Sequence, residues 1–444
     1  MIKTFGSLCS GIEVASLVFK PIGLEPLWFS EIAEFPSIFL KNKYPSTPNL
    51  GDMNNLPDLI KTKKIEVPDL LSGGTPCQAF SLAGNQNGLN DNRGQLTLKY
   101  FEIADEIDKI REEQGKDKAI LFWENVEGVL SDRTNAFGYF LAGLAGLKKP
   151  IEVKKWTTAG ILKSKKRNIA WRVLDGKYFG LPQQRRRLYV LAGGEKFNPE
   201  NILFEIGKKI ADPYKKMQTT KSEPSLFEEN PKQTFNQILN KHIEGNEIEI
   251  FRTYTDCLYA AYGTKWNGNA AAYNGSLFIT QNKKLRRITP LECERLMGLP
   301  DNYTLIHGCS HTNRYQAVGN SWAVPVVAWI ANRLLLNNIE KPITNNFTEK
   351  NIGYTLNLIT DFQFVDSGYY LNGSPIPYNY KLANLIDYID INAHEKFYIS
   401  PKGCAGILRR KKEKNIKINT RLEKVLSYVS SIDSNDDINR LTPN

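Results

Sequence analysis

Hydrophobic residues in the first 194 positions fall into short apolar runs, separated by longer segments whose apolar residues recur three and four apart. The runs predict six strands: Lys3–Leu8, Pro26–Ser30, Pro68–Ser72, Ala119–Trp123, Ile169–Leu174 and Arg187–Ala192. The segments between them predict four helices: Ile12–Phe19, Ala33–Tyr44, Leu96–Glu113 and Asn135–Leu147. This alternation is typical of βαβ units, so the pattern predicts an α/β domain with a Rossmann-like, doubly wound and mainly parallel sheet.

The pattern changes after Gly194, where a polar segment is followed by an aromatic-rich one at 251–273. Helical periodicity resumes at Thr289 and Pro290, which resemble an N-cap and a first helical residue, and it continues through Ala323–Leu336. We therefore predict a main domain from residues 1–194 and 285–336, a small lobe at 195–284, a linker at 337–353 and a basic C-terminal extension at 354–444.

Composition narrows the functional classes. Lysine and arginine number 58 against 47 acidic residues, giving a net charge of +11, which favours a polyanionic partner such as nucleic acid. The six cysteines contain no CxxC pair, so a disulfide framework is disfavoured and a cytoplasmic location is expected. The apolar stretch Val324–Leu336 is too short to span a bilayer, so no membrane role is expected. His307 to His311 (HGCSH) lacks zinc-ligand spacing, and no metal site is predicted.

Candidate chemistry collects after the predicted strands. Ligands of doubly wound sheets bind beyond the carboxyl ends of the strands. Residues that could bind a ligand or take part in a reaction follow four successive strands at this edge: Ser10 and Gly11, Glu31, Pro76 and Cys77, and Glu124. A turn, a thiol and carboxylates are therefore expected to converge on one site.

Cys77 and Glu124 each have two interpretations. A lone cysteine is most often a buried, inert thiol, but Cys77 follows a strand and a Gly-Gly-Thr-Pro turn that can present sulfur to a cleft. Glu124 is either a solvent-facing carboxylate or a group that hydrogen-bonds a bound heterocycle. The pairing of the two favours a site.

Two other motifs have equally plain alternatives. Arg185 and Arg187 are expected on one face of a strand, where they form either a solvated basic patch or a contact to an anionic or carbonyl-rich ligand. Asn320 and Ser321 precede an apolar helix, where they either cap it or receive polar ligand groups.

Together these stretches resemble the cytosine-5 DNA methyltransferase family, in the order in which its motifs occur. The matching segments are FGSLCSGIEVAS, FSEI, GDM, GGTPCQAFSLAG, NDNRGQL, ENV, PQQRRRLY, RRITPLECERLMGLPD and GNS. The segments GSLCSGIEVAS and ECERLMGLPDNY most resemble those of phage and prophage members of the family. The chain departs from the family at Glu13 and Val14, where many members have glycines, at Cys9 and at Ala83.

The resemblance implies a class I S-adenosylmethionine-dependent methyltransferase fold and a catalytic set of Cys77, Glu124, Arg187 and a supporting Arg185. It also implies that S-adenosylmethionine is the cofactor. The cofactor-binding residues would be Cys9, Ser10, Gly11, Glu31, Ile32, Asp52, Met53, Pro76, Leu96, Asn320 and Ser321.

Double-stranded DNA is the expected partner, with the lobe at 195–284 reading its sequence after a cytosine has been flipped out. The candidate DNA-binding residues are Gln78, Ala83, Arg93, Tyr262, Lys265, Trp266, Asn267, Arg286, Arg287, Arg409 and Arg410. A monomer is expected, and a cognate restriction endonuclease is left open as a partner. The expected role is restriction-modification or the protection of phage DNA.

Three rival readings are retained at this point. An RNA cytosine-5 methyltransferase would share the motifs, and a noncatalytic DNA-binding protein could share the fold. A nicotinamide dehydrogenase is disfavoured because FGSLCSGIEVAS lacks the G-x-G-x-x-G spacing.

Overall fold

The computed structural model describes residues 2–75, 92–208, 239–265, 273–336, 350–351, 353–366 and 368–432. These residues belong to two compact units. Unit 1 consists of Met1–Tyr178, Arg186–Ile210 and Ser321–Tyr380. Unit 2 consists of Phe179–Arg185, Ala211–Asn320 and Lys381–Asn444.

A nine-stranded sheet forms the centre of unit 1, in the order β13-β14-β5-β6-β7-β4-β3-β1-β2. Its strands are β1 Thr4–Leu8, β2 Glu25–Ser30, β3 Leu70–Gly73, β4 Ile120–Val126, β5 Ala159–Ser164, β6 Asn168–Asp175, β7 Arg186–Gly193, β13 Lys350–Asn351 and β14 Tyr354–Ile359. A three-stranded sheet in the same unit contains β8 Glu205–Lys208, β15 Phe362–Asp366 and β16 Tyr369–Asn372.

The helices of unit 1 alternate with the first strands as predicted. They are α1 Val14–Phe19, α2 Glu34–Lys43, α3 Leu56–Lys61, α4 Asn92–Glu113, α5 Ala136–Ala145, α6 Glu200–Leu203 and α10 Val324–Leu336. Apolar side chains from α4 and α5, including Tyr100, Phe137 and Phe140, pack with Trp123 and Trp171 of the sheet in one buried cluster. This packing fixes where the strand ends lie.

The central sheet is mixed, and its two halves differ. β2, β1, β3 and β4 pair in parallel, whereas β7, β6, β5 and β14 follow through antiparallel pairings. All six predicted strands are present, but three strands of this sheet, β5, β13 and β14, were not predicted. The parallel half places the carboxyl ends of β1 to β4 at one edge, which is the arrangement that the sequence pattern predicts.

Unit 2 contains a four-stranded antiparallel sheet in the order β12-β11-β10-β9. Its strands are β9 Leu239–Ile243, β10 Asn246–Ile250, β11 Phe278–Gln281 and β12 Lys284–Arg287. Its helices are α7 Tyr262–Lys265, α8 Pro290–Leu296, α9 His311–Asn320, α11 Pro401–Glu413 and α12 Thr420–Ser431. Thr289 caps α8 in a capping box with Glu292, and Ser400 caps α11, as the sequence predicts.

The predicted domain boundaries differ from these units. β14 pairs with β5 along six residues, so the start of the predicted C-terminal extension belongs to the central sheet of unit 1. The end of that extension belongs to unit 2, where Leu422 and Leu426 share a buried cluster with Phe251 and Leu285. The predicted extension is therefore divided between the two units, and residues 285–320 belong to unit 2.

None of the helices in the described part of the chain combines the length and apolarity that crossing a membrane requires. The same residues contain no group of three or more histidine, cysteine or acidic side chains arranged to hold a metal ion.

Candidate functional site

Glu124 and Arg187 form the charged centre of the site in unit 1. Their strands, β4 and β7, are antiparallel neighbours in which Val126 lies opposite Arg187. Because side chains two apart on a strand share a face, Glu124 and Arg187 project from the same face of the sheet. Arg187 Nε lies 3.2 Å from Glu124 Oε1, and the two side chains are only 13% and 11% exposed. This shielding from water strengthens the electrostatic interaction of the pair with any polar group placed beside it.

The backbone that leads to Cys77 is held next to this pair. Asn125 Nδ2 donates a hydrogen bond to Thr75 O at 2.9 Å, and Trp123 Nε1 donates to Thr75 Oγ1 at 3.3 Å. A Cβ on Gly74 would lie 2.6 Å from Glu124 O, so only glycine fits here without displacing one of the strands. The chain therefore leaves β3 against the residues that flank Glu124.

Four of the predicted site residues, Pro76, Cys77, Gln78 and Ala83, lie outside the described residues. Arg93 belongs to the first turn of α4. Their roles stay predictions, and the described site ends at Thr75.

A tight turn after β1 joins the turn after β2. Cys9 and Gly11 both have left-handed backbone, with φ of 50° and 55°, and Gly11 N donates to Glu31 Oε2 at 2.8 Å. Glu31 Oε1 accepts hydrogen bonds from the backbone N–H groups of Ile32 and Ala33 at 2.9 and 2.8 Å. These three hydrogen bonds hold Glu31 rigidly. Each carboxylate oxygen has two lone pairs, so Oε2 can still accept a hydrogen bond from a ligand hydroxyl.

Two further side chains at this edge are exposed: Ile32, which follows β2, and Asp52, which follows α2. Asp52 is exposed and accepts a hydrogen bond from Asn54 N at 2.9 Å through Oδ1, which leaves Oδ2 available to a ligand amino group. Ile32 is 74% exposed, although it is a large apolar residue, and so offers a surface for a flat ring. Met53 is buried, and Leu96 on α4 is half-buried.

These donors and acceptors suit the two ends of an adenosine. A carboxylate held by backbone amides is suited to ribose hydroxyls, and an exposed aliphatic side chain with a nearby carboxylate is suited to an adenine ring and its amino group. Ser10 contributes by tying the ends of β1 and β2 together, since Ser30 N donates to Ser10 Oγ at 3.2 Å. Ser321 is buried in unit 1, whereas Asn320 is an exposed residue of unit 2.

Glu13 is a feature that the sequence signalled only as a departure from the family pattern. It is 1% exposed and its carboxylate accepts hydrogen bonds from Ser7 Oγ, Ser16 N and Ser16 Oγ at 2.8 to 3.0 Å. Burial raises the pKa of Glu13 to about 7, although these hydrogen bonds oppose the shift. Glu13 also has left-handed backbone, with φ of 58°, a conformation that favours glycine.

Asn125 and Thr75 were given no role from the sequence. The signal was a second polar residue, Asn125, directly after Glu124 at the end of an apolar run, which a buried hydrogen bond explains.

Arg185 belongs to unit 2 and precedes β7, and its predicted supporting role in catalysis stays a prediction. Its guanidinium is buried in unit 2 and donates to the backbone oxygens of Leu258 and Gly319 at 3.1 and 3.2 Å. The strand begins at Arg186, so the alternation expected for Arg185 does not apply. Arg186 forms a two-bond ion pair with Glu127. The bonds of Arg185 to Leu258 and Gly319 stabilise unit 2.

Two predicted DNA contacts are also core residues of unit 2. Tyr262 is 1% exposed, and its ring packs edge to face against Tyr315 with centroids 5.0 Å apart. Arg286 is fully buried and binds both carboxylate oxygens of Glu292 at 2.8 and 3.0 Å. Neither side chain is available to DNA in this arrangement.

The other predicted DNA contacts divide into three groups. Trp266 and Asn267 lie outside the described residues, and Lys265 ends α7. Arg409 is exposed and lies 3.6 Å from Glu413. Arg287 and Arg410 are half-buried and line one common cleft.

The mixed sheet, with its parallel half and its ligand-binding edge, defines the class I methyltransferase fold. The chain belongs to the C-5 cytosine-specific DNA methylase family, whose model matches residues 3–336. This confirms the family resemblance of the sequence motifs.

Several named proteins are similar to the chain. A protein of Escherichia phage P1 named DNA N-6-adenine-methyltransferase is 32% identical and covers 74% of this chain, but the chain spans only 61% of that protein's length. Type II methyltransferase M.HhaI of Haemophilus parahaemolyticus is 27% identical, with coverage of 74% of this chain and 92% of M.HhaI. Orphan methyltransferase M.Rho11sI of Bacillus phage rho11s is 25% identical, over 90% of this chain and 66% of that protein.

Two solved structures are also similar. The Entamoeba histolytica methyltransferase EhMeth has 17% identity and a TM-score of 0.46, covering 76% of this chain and 99% of its own. A Spodoptera frugiperda DNMT2 mutant has 18% identity and a TM-score of 0.43, covering 76% and 100%.

Proposed function

We propose that this protein transfers a methyl group from S-adenosylmethionine to C5 of a cytosine that is flipped out of duplex DNA. The observation that carries the proposal is the shielded Glu124–Arg187 pair, 3.2 Å apart, beside the anchored backbone that leads to Cys77. A carboxyl group and a guanidinium on one face of a sheet complement the N3 and O2 edge of cytosine.

The proposed residue chemistry begins with activation of the ring. C5 of cytosine is a poor nucleophile until electrons enter the ring, so the Cys77 thiolate forms a bond to C6 while Glu124 stabilises the charge that develops at N3. Arg187 donates to O2 and holds the ring in position. C5 then takes the methyl group from S-adenosylmethionine, and the broken methyl–sulfur bond leaves S-adenosylhomocysteine. The C5 proton passes to water, the C5–C6 double bond re-forms, the bond between Cys77 sulfur and C6 breaks, and the thiolate is restored.

S-adenosylmethionine would supply an electrophilic methyl group. The residues suited to hold it are Glu31 at the ribose, Asp52 and Ile32 at the adenine, and Ser10 and Gly11 in the turn after β1. The other members of the proposed set are Leu96, Met53, Ser321, Cys9, Pro76 and Asn320. Arg185 keeps its proposed role as a support for Arg187.

Sequence reading is assigned to the lobe at 195–284, since the family motifs leave this segment without a role in the chemistry. The target base must leave the helical stack, at a cost of a few kcal/mol, before it can reach the site. We place the enzyme in restriction-modification or phage DNA protection, acting in the cytoplasm as a monomer. A cognate restriction endonuclease would be its partner in the first of these roles.

The name of the phage P1 relative raises adenine N6 as a second target. In that reaction the exocyclic amine is itself the nucleophile. It needs neither a covalent bond between a thiol and the ring nor stabilisation of charge at a ring nitrogen. The Glu124–Arg187 pair beside the Cys77 segment therefore favours cytosine C5.

The test is transfer of radiolabelled methyl from S-adenosylmethionine to unmethylated genomic DNA, followed by nucleoside mass spectrometry and bisulfite sequencing. Label in 5-methylcytosine within one short sequence context, lost in Cys77→Ser, is the expected result. N6-methyladenine as the product would reject the proposal, and so would transfer to transfer RNA without transfer to DNA. Cofactor binding by the Cys77→Ser variant serves as the folding control.

A further inference from the structure

A cleft of about 350 Å³ in unit 2 is lined by three cationic side chains: Arg287, Lys396 and Arg410. Arg287 ends β12, Lys396 lies in the single-turn helix Glu395–Phe397, and Arg410 lies in α11. The described residues that line the cleft include no aspartate or glutamate. Three segments that are distant in sequence therefore bring positive charge to one concave surface.

The frame that holds these cations is packed. Ile399 N donates to Leu285 O at 2.9 Å, and Tyr398 bridges to Arg286 in antiparallel register, so the segment after Lys396 runs along β12. Cys404 and Ile407 of α11 are buried against α12 and the sheet. The cleft is thus a formed feature of unit 2, and its basic groups are held in place by a core.

The electrostatic environment of a neighbouring histidine agrees with this charge. His311 begins α9, and burial lowers the pKa of its imidazole below the ordinary value. The positive charges of Lys396, Arg314 and Arg287 lower this pKa further. Lys396 and Arg287 are two of the lining residues, so the lowered pKa of His311 agrees with the positive charge of the cleft.

Two glycines of α11, Gly403 and Gly406, complete the lining on the helix side. A Cβ on Gly406 would meet no atom within 4 Å. The missing side chain leaves open space in the cleft that a ligand can use. Glycine in a helix interior costs about 1 kcal/mol relative to alanine, so this space has an energetic cost.

We propose that this cleft binds a phosphodiester group of the DNA backbone. The inference rests on the proposed function, because it takes DNA as the substrate. Guanidinium groups bind phosphate oxygens through paired N–H donors, and Lys396 adds a point charge. The cleft would fix the position of the duplex on unit 2 without reading its sequence.

Adjacent arginines of α11 provide a matched test. Arg410 lines the cleft, whereas Arg409 is 76% exposed beside Glu413, and alanine at either position removes one positive charge. Arg410→Ala should weaken duplex binding about tenfold and reduce the slope of log affinity against log salt by about one. Arg409→Ala should weaken duplex binding by less than about threefold, because an exposed charge contributes little to an interaction. Fluorescence anisotropy with a labelled duplex gives both quantities.

A second pair of variants tests the cleft without removing a cation. Gly406→Glu places a carboxylate in the open space, and Gly406→Gln places a neutral side chain of the same size there. Both should fold as well as the wild type, since both residues have higher helix propensity than glycine. Binding should weaken more in Gly406→Glu than in Gly406→Gln, and thermal unfolding checks that neither loss comes from misfolding.

The outcomes separate this inference from the proposed function. If Arg410→Ala and Arg409→Ala weaken duplex binding equally, the proposed binding of DNA phosphodiester groups in the cleft is rejected, even if the protein transfers methyl groups. A clear difference in binding with no methyl transfer would support the cleft and reject the enzyme. Titration with inorganic phosphate distinguishes the source: saturable phosphate binding that Gly406→Glu removes, with DNA affinity unchanged, would also overturn the proposal.

Discussion

Glu124 and Arg187 lie on neighbouring antiparallel strands with their charged groups 3.2 Å apart, while one residue farther along β4 Asn125 holds the carbonyl of Thr75. A second ion pair lies next to the first: Arg186 of β7 binds Glu127, the residue after β4, through two hydrogen bonds. The two pairs have the same chemical composition, but only the first is directed to the edge where the Cys77 segment begins. This provides internal controls for the proposed chemistry.

Glu124→Gln should lower the rate of methyl transfer about 10²- to 10⁴-fold, because the amide cannot stabilise charge at N3 as a carboxyl group can. Glu127→Gln removes a carboxylate of the other pair and should change the rate only a few-fold. Both rates are measured by transfer of labelled methyl under single-turnover conditions. Equal losses in the two variants would contradict the role of Glu124.

The contrast between Arg187 and Arg185 should be visible in two different measurements. Arg187→Lys loses the planar fork that binds cytosine O2 and should lower kcat/KM about tenfold to a hundredfold at unchanged thermal stability. Arg185→Lys leaves buried carbonyls of unit 2 without donors and should cost about 1–3 kcal/mol of stability. Unfolding and transfer assays on both variants check this. A stable Arg185→Lys protein with lost activity would show that Arg185 acts in catalysis as well, as the sequence predicts.

Gly74→Ala should displace the end of β3, because the added Cβ would lie 2.6 Å from Glu124 O. Overpacking of this kind costs about 1–3 kcal/mol, and here the strain falls on the backbone of Glu124. Activity should therefore fall more than stability. Gly128→Ala is the control, since its Cβ would meet its nearest neighbour at 4.0 Å. Full activity in Gly74→Ala would show that the strand ends can move apart freely.

The parallel half of the sheet could be predicted because each of its strands is a short, continuous apolar run, flanked by helical periodicity that fixes its length. The antiparallel half was harder. β5 follows a basic, irregular segment, and β14 lies about 190 residues farther along the chain, so its pairing with β5 leaves no local signal. The predicted domain boundaries differ from the observed units for this reason.

Burial of polar side chains was the other property that the sequence did not reveal. Arg286 precedes Arg287 in a basic run, yet only Arg286 meets Glu292 in the core, and this depends on how α8 packs against β12. Tyr262 likewise appears in an aromatic-rich segment that suggests a nucleic-acid contact, but it packs against Tyr315. In contrast, Glu31 lies directly after β2 as predicted, since the position of a residue after a strand is a local property. β4 is longer than predicted and continues to Val126, so Glu124 lies within it.

The stability of unit 1 should depend on pH through Glu13. Its pKa is raised from an ordinary 4.5 to about 7 because the carboxyl group is buried, so the folded protein binds a proton that the unfolded chain has released. The sign follows: the favourable contribution is fully present below about pH 4.5 and is lost as the pH rises through about 7, amounting to at most about 3 kcal/mol. Stability should therefore decline across this interval.

Glu13→Gln removes this dependence because glutamine stays neutral. The thermal midpoint of the variant relative to the wild type should rise between about pH 5 and about pH 8, since only the wild type must then bury a carboxylate. Glu25→Gln, at an exposed glutamate of β2 beside Lys20, should show a difference that is nearly constant with pH. A constant difference for Glu13→Gln as well would mean that the hydrogen bonds from Ser7 and Ser16 fully offset the burial of the charge.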